Sequence, residues 1–95
     1  MVKEISTNGY NLNNAPTEII GSTSGDASAS LVNAPISIRS NFLCKTIRIT
    51  SYALQIYVAF SGSSNVLRTF ARSSYTGTGG VTTWTNWIEI QTTSV

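Results

Sequence analysis

The feature that most constrains the fold is an alternation of residue character along the middle of the chain. Every second position from 54 to 60 is apolar, namely Leu54, Ile56, Val58 and Phe60. Successive side chains of a strand point to opposite faces of a sheet, so the pattern predicts a half-buried strand at 53–60 with its even positions in the core. Tyr57 would then lie on the other face, exposed or packed against a partner chain. A similar alternation predicts a strand at 43–50.

Two further strands are expected in the C-terminal half. The first, at about 66–72, is joined to the strand at 53–60 by the turn residues 61–65, which are Ser-Gly-Ser-Ser-Asn. The second is at 87–92, where Ile88 and Ile90 alternate with polar residues. Together with the strand at 43–50, they predict an antiparallel arrangement of short strands.

No segment has a helical pattern, and ten Ile, six Val and 13 Thr supply β-branched residues that favour strands. The N-terminal half offers two short strands, at 2–6 and 17–21. The residues at 21–30 and 73–83 are rich in Gly, Ser and Thr and are expected to form loops, the second of them long and exposed. The chain is therefore predicted to be all-β, a small antiparallel β-sandwich or knob of short strands forming one domain over residues 1–95.

Charged residues are scarce. Only 11% of the 95 residues are charged, against about a quarter in ordinary soluble domains, and Ser and Thr together fill 27 positions. No apolar run approaches the ~20 residues that a membrane span needs, and the start of the chain does not read as a secretory signal. Cys44 is the single cysteine, so no disulfide is expected within the chain, and we expect the domain to gain stability by forming an oligomer.

Enzymatic catalysis is not expected. The chain has no His, the commonest general base, and only four acidic residues. Cys44 has no His to activate it and is expected to be a buried, unreactive thiol. The glycines at 76–80 lack the Lys and the following helix of a phosphate-binding loop. We therefore expect no catalytic site, no cofactor and no metal.

The basic residues are unevenly distributed. Five of the six lie between Asp26 and Glu89, a stretch that contains no other acidic residue. They could bind an anionic partner such as a phosphorylated or acidic glycan, or they could pair with Glu89, Glu4 and backbone carbonyls. Nucleic acid is not favoured, because it would need a denser basic stripe interleaved with aromatic residues.

Aromatic residues supply the other candidates for binding. Trp84 and Trp87 are three positions apart, so they cannot both point into one core along an ideal strand, and one is expected to face a second surface. Alternatively, both could be core or corner packing residues. Tyr75 falls in the predicted loop at 73–83, where it would be exposed.

Three pieces of the C-terminal half form a recognisable combination. They are the run Ala-Leu-Gln-Ile-Tyr-Val at 53–58, Arg68 on the next predicted strand, and Trp-Thr-Asn-Trp-Ile-Glu-Ile at 84–90. Together they resemble the pyocin-knob type domain of phage tail fibres, which typically has a Gln-aliphatic-aromatic strand, a hairpin partner ending in Arg, and a terminal Trp-Ser-x-Trp-x-Glu motif. Thr85 replaces the usual Ser. Asn-Leu-Asn at 11–13 is similar to the family's Asp-Leu-Asn signature.

The resemblance implies a small β-rich knob near the C-terminal end of a trimeric fibre, with residues 1–8 leading in from the fibre shaft. It also implies that Arg68 and Glu89 meet across neighbouring strands with Gln55 close by, as a polar network. Tyr57 and Trp87 would be structural aromatics.

The expected function is that of a homotrimeric receptor-binding tip on the tail fibre of a virion, acting outside the cell. It would bind a bacterial surface glycan such as lipopolysaccharide or teichoic acid, and three weak sites would give avidity. The expected contacts are Tyr75, Asn86, Arg72 and Trp84, through stacking, amide hydrogen bonds and recognition of acidic groups by arginine. Neither nucleic acid nor membrane insertion is expected.

The main competing hypothesis is a purely structural domain that caps or trimerises a fibre and has no receptor site of its own. Two further functions stay open at this point, those of a capsule depolymerase and of a host-side lectin.

Overall fold

The structure, a computed structural model, describes residues 2–62 and 66–91. A single 3₁₀ turn lies at Leu12–Asn14. The other elements are β1 (Val2–Glu4), β2 (Ile19–Ser22), α1 (Gly25–Ala29), β3 (Asn41–Ile49), β4 (Tyr52–Phe60), β5 (Leu67–Thr76), β6 (Thr82–Trp84) and β7 (Ile88–Ile90).

All seven strands belong to one sheet, in the order β1-β2-β3-β4-β5-β6, with β7 also paired to β5. The β1–β2 pair is parallel and the other pairs are antiparallel. The predicted all-β class is confirmed. The predicted sandwich is not found in the described part of the chain, because its strands form one sheet rather than two packed sheets.

The long strands β3, β4 and β5 form the centre of the sheet. Their register is continuous, so that Cys44 lies opposite Tyr57 and Tyr57 lies opposite Phe70. These strands agree with the predictions at 43–50, 53–60 and 66–72, although β5 is longer. The predicted last strand is shorter, at Ile88–Ile90, and position 92 lies outside the described residues. Positions 63–65 of the predicted turn lie outside them too.

The predicted assignment of the two faces of β4 is wrong. Its odd positions are the buried ones, Ala53, Gln55, Tyr57 and Ala59, whereas Leu54 is 40% exposed. The N-terminal half of the chain covers the face that carries these odd positions, and Leu12 packs there with Tyr57. We call this side of the sheet the core face and the opposite side, which carries the even positions of β4, the open face.

Aromatic packing on the core face is centred on Tyr57, which is fully buried rather than exposed. Its ring stacks on Phe42 with centroids 5.5 Å apart, and meets Phe70 and Trp87 edge-on at 6.2 and 6.1 Å. Such pairs contribute about 0.5–1.5 kcal/mol each beyond their buried area. Burial raises the pKa of Tyr57 to about 12, so its hydroxyl is neutral.

Two predicted loops contain regular structure. Within 21–30, the helix α1 begins after Ser24, whose side chain accepts a hydrogen bond from Ala27 N at 3.3 Å. This is an N-cap, which satisfies a backbone N–H that the first turn leaves free. Within 73–83, β5 continues to Thr76 and the chain turns back as β6, with Gly80 at φ +80° in the turn. The expected long exposed loop is therefore a β-hairpin.

Candidate functional site

Arg72 lies at the centre of a polar cluster on the core face. The alternation of β5 places it beside Gln55 of β4, and only 6% of its surface is exposed. Its Nε donates a hydrogen bond to Gln55 Oε1 at 2.8 Å, and its Nη2 donates to Asn13 Oδ1 at 2.7 Å. The guanidinium therefore ties the sheet to the 3₁₀ turn of the N-terminal half.

Gln55 extends this cluster further. Its Nε2 donates to the carbonyl oxygen of Leu12 at 2.7 Å and to Thr46 Oγ1 at 3.1 Å. The amide thus uses both its donor and its acceptor atoms inside the protein. Because Gln55 is fully buried, these bonds offset the cost of removing its amide from water.

Both tryptophans flank Arg72. Its guanidinium carbon lies 3.9 Å from the ring centroid of Trp84 and 4.6 Å from that of Trp87. The expectation that one of the two faces a second surface is wrong, because the chain leaves the β ladder between them. Thr85 instead bonds to Ser73 through its backbone N at 2.8 Å and its Oγ1 at 3.0 Å. This irregular stretch removes the geometric limit that an ideal strand would impose.

A cleft of about 320 Å³ opens at this cluster. Its lining combines carboxamides, a hydroxyl and the two indoles, contributed by Asn13, Asn33, Ala34, Arg72, Trp84, Thr85, Asn86 and Trp87. Three of the predicted contacts, Arg72, Asn86 and Trp84, are therefore brought together. Asn13, Asn33 and Thr85 were missed by the sequence reasoning.

The shape of the cleft is held by side chains that bond to the protein. Trp87 Nε1 donates to the carbonyl oxygen of Asn33 at 2.9 Å, and Asn33 Nδ2 donates to Asn11 Oδ1 at 2.9 Å. Asn33 has a φ of +62°, a conformation that Asn tolerates better than most residues. The loop at 33 is thus fixed from two sides, and Asn86 at the rim is exposed.

Tyr75, the fourth predicted contact, lies elsewhere. It is on the open face at the end of β5, where its ring contacts Tyr52 with centroids 5.2 Å apart. The cleft is on the core face, so Tyr75 and Arg72 point to opposite sides of the sheet. The structure does not bring Tyr75 together with the other three residues.

Arg68 and Glu89 form a bidentate ion pair between β5 and β7. Arg68 Nε and Nη2 donate to the two carboxylate oxygens of Glu89 at 2.8 and 2.7 Å. Hydrogen bonding to Arg68 lowers the pKa of Glu89. Gln55 is not part of this network, since its partner on β5 is Arg72; the expected three-residue network is two separate ones.

The charge of Arg72 has no acidic partner in the part of the chain that the structure describes. The ion pairs found there join Arg39 to Asp26 and Arg68 to Glu89. Burial lowers the pKa of Arg72, but an arginine remains cationic at neutral pH. The cleft therefore contains a buried cation whose bonded partners, Gln55 and Asn13, are neutral amides.

The remaining chemistry is limited. Cys44 is buried, and burial raises the pKa of its thiol to about 12, so the reactive thiolate is not formed at neutral pH. Residues 2–62 and 66–91 contain no cluster of three or more potential metal ligands. They also contain no helix of the length and apolar character that crossing a bilayer requires.

No family model matches the chain, and searches of curated proteins and of solved structures find no match. The resemblance to pyocin-knob domains stays a prediction.

Proposed function

We propose that this chain is a non-enzymatic receptor-binding module that attaches to a bacterial surface glycan, as the homotrimeric tip of a phage tail fibre. The observation that carries the proposal is the cleft around Arg72, where a buried cation without an acidic partner among the described residues is surrounded by carboxamides. The resemblance of residues 53–58 and 84–90 to pyocin-knob domains supplies the biological setting.

The composition of the cleft suits sugar hydroxyls and acidic substituents. The side chains of Asn13, Asn33 and Asn86 each carry donors and an acceptor, which match hydroxyl groups that also donate and accept. The remaining guanidinium nitrogen, Nη1 of Arg72, makes no hydrogen bond to the described residues. It is suited to a phosphate or carboxylate, groups that arginine recognises well. Lipopolysaccharide and teichoic acid both carry such groups.

Pre-organisation supports the same proposal. Arg72 is held by two hydrogen bonds and by both indoles, so little side-chain freedom remains to be lost when a ligand binds. Arg72 covers the indole faces that it contacts, so a sugar ring cannot stack on those faces. Recognition in this proposal therefore relies on hydrogen bonds and charge rather than on the sugar stacking that the exposed aromatics first suggested.

Binding of host cells or immobilised glycans by the 95-residue chain tests the proposal. Asn86→Ala removes an exposed amide at the rim and should lower binding about three- to tenfold, as expected for one lost hydrogen bond. Asn14→Ala is the matched control, because Asn14 is also exposed but does not line the cleft. Equal binding by the two variants would overturn the assignment of the cleft.

A purely structural role is the second candidate, and the open face favours it, because exposed apolar side chains there, such as Leu54 and Ile88, suit assembly. The two functions differ in one observable. An isolated, well-folded oligomer that does not block phage adsorption supports the structural role, whereas blocking supports receptor binding. Loss of blocking in Asn86→Ala but not in Asn14→Ala would then connect the effect to the cleft.

A further inference from the structure

The open face of the sheet carries most of the exposed apolar side chains. Eleven large hydrophobic residues are exposed in the described chain, and the strand registers place nine of them on this face. They are Val2, Ile47, Ile49, Tyr52, Leu54, Leu67, Tyr75, Ile88 and Ile90. Between them lie the half-buried residues Ile56, Val58 and Phe60. The face is therefore continuous across the sheet rather than a set of scattered residues.

The area of this face is that of a protein interface. The nine residues are 40–70% exposed, which leaves on the order of 800 Å² of surface, about what each partner of a stable complex buries. The largest apolar patch of a typical monomer is roughly 300–600 Å². A chain of 95 residues with so much exposed apolar surface gains stability when that surface is covered.

Charge divides the open face into two halves. Glu4 on β1 and Lys45 on β3 are the charged residues that the described strands present there, and both lie on the side formed by the first three strands. On β4, β5 and β7 this face presents Tyr, Leu, Ile, Val, Phe, Ala, Ser and Thr without a charge. Depletion of charged residues at the centre of a patch is typical of interfaces between subunits.

We infer that copies of this chain associate through the open face, with the uncharged half formed by β4, β5 and β7 at the centre of the contact. The open face of a second copy is a suitable partner for this surface, because neither centre presents a charge that the other would have to neutralise. In a homotrimer, three sheets that turn this face toward a shared threefold axis would bury its alternate side chains between them. The cleft at Arg72 lies on the other side of the sheet and stays accessible.

This inference rests on the oligomeric part of the proposed function and specifies the surface responsible. Ile88→Lys and Val32→Lys test it as a pair, because the two side chains are 69 and 44% exposed but Val32 pairs with Asn11 in the N-terminal half that covers the core face. The mass of each protein is measured by sedimentation at about 50 μM, in the range where moderate association is detected. Emission from Trp84 and Trp87, on the core face, reports whether the variants are folded.

The expected result is an oligomeric wild type, an equally oligomeric Val32→Lys and an Ile88→Lys whose association is weakened at least tenfold with unchanged tryptophan emission. Leu67→Lys, at a 63% exposed site on β5, should behave like Ile88→Lys and replaces it if that variant does not fold. A wild type that remains monomeric up to roughly 1 mM overturns the inference. So does a wild-type oligomer whose association neither Ile88→Lys nor Leu67→Lys weakens. Asn86→Ala leaves the open face intact. Its effect on glycan binding therefore tests the cleft independently of the association measured by sedimentation.

Discussion

Arg72 and Gln55 are hydrogen-bonded across the β4–β5 ladder, with Arg72 Nε 2.8 Å from Gln55 Oε1. The same amide donates to Leu12 and Thr46. A single neutral side chain thus links the buried cation, the 3₁₀ turn and strand β3. The core of this domain is organised around hydrogen bonds as well as apolar contacts.

Replacing Gln55 by an apolar residue should lower the stability of the protein. Gln55→Leu removes the bonded partner of Arg72 Nε and of the Thr46 hydroxyl and one of the two donors to the Leu12 carbonyl. We expect it to lower the free energy of unfolding by about 2–4 kcal/mol. Urea unfolding measures the effect. The chain's other glutamine, Gln91, is exposed, so Gln91→Leu should change stability by less than about 0.5 kcal/mol. Equal losses in the two variants would contradict a structural role for Gln55.

Close packing between β2 and β3 predicts a second effect. A Cβ atom on Gly21 would lie 2.6 Å from the carbonyl oxygen of Phe42 and 2.7 Å from Leu43 Cδ2. Gly21→Ala must shift backbone as well as side-chain atoms, and should destabilise the protein by about 1–3 kcal/mol. Gly79 has no atom within 4 Å of the corresponding position, so Gly79→Ala is the control in thermal unfolding. A neutral Gly21→Ala would show that the two strands separate easily.

Acidification should weaken the tie between β5 and β7. The pKa of Glu89 is lowered in the folded protein by hydrogen bonding to Arg68, so below its ordinary value of about 4.3 the unfolded state binds more protons. The stabilising contribution is therefore present above that value and is lost as the pH falls through the lowered pKa. The pair is partly exposed, which keeps its contribution small.

Glu89→Gln provides the measurement for this pair. Melting temperatures of the wild type and the variant should differ at neutral pH and converge as the pH is lowered below the ordinary pKa of a glutamate. A difference that persists unchanged at acidic pH would mean that Glu89 acts through packing rather than through its charge.

The thiol of Cys44 should be protected in the native state. It is 1% exposed, and burial raises its pKa to about 12, whereas the pKa of a cysteine in an unfolded chain is about 8.5. At mildly alkaline pH we expect a thiol-reactive dye to modify the native protein slowly and the urea-unfolded protein rapidly, because the thiolate is the reactive form. A native rate close to the unfolded one would place Cys44 in an open, mobile region.

The long strands could be predicted from the sequence, but the buried face of β4 could not. Period-two alternation locates a strand without identifying what covers it. Both sides of β4 carry large side chains, Tyr57 on one and Ile56 on the other. The N-terminal turn decides between them, because Leu12 offers both an apolar side chain and a carbonyl oxygen that Gln55 bonds. Such a contact, 43 positions apart, leaves no local pattern.

The candidate site was predictable by residue type and not by geometry. Arg72, Trp84 and Asn86 were expected because arginine, indole and amide groups bind sugars. Both indoles contact Arg72 because the β ladder is interrupted between Trp84 and Ile88. No periodicity in the sequence predicts this interruption. The amide of Asn13 reaches Arg72 from 59 positions away, and only the tertiary fold places it there.

The two edges of the sheet limit assembly beyond a small oligomer. One edge consists of the three-residue strand β1 and of residues 46–49 of β3, which extend beyond the end of β2. The other edge is divided between β6 and β7, also three residues each, with an irregular stretch between them. A long unpaired edge would recruit strands from other molecules without limit, as in amyloid. These short edges offer few consecutive backbone groups for such pairing. We therefore expect little fibrillar aggregation, even though the protein exposes a broad apolar surface.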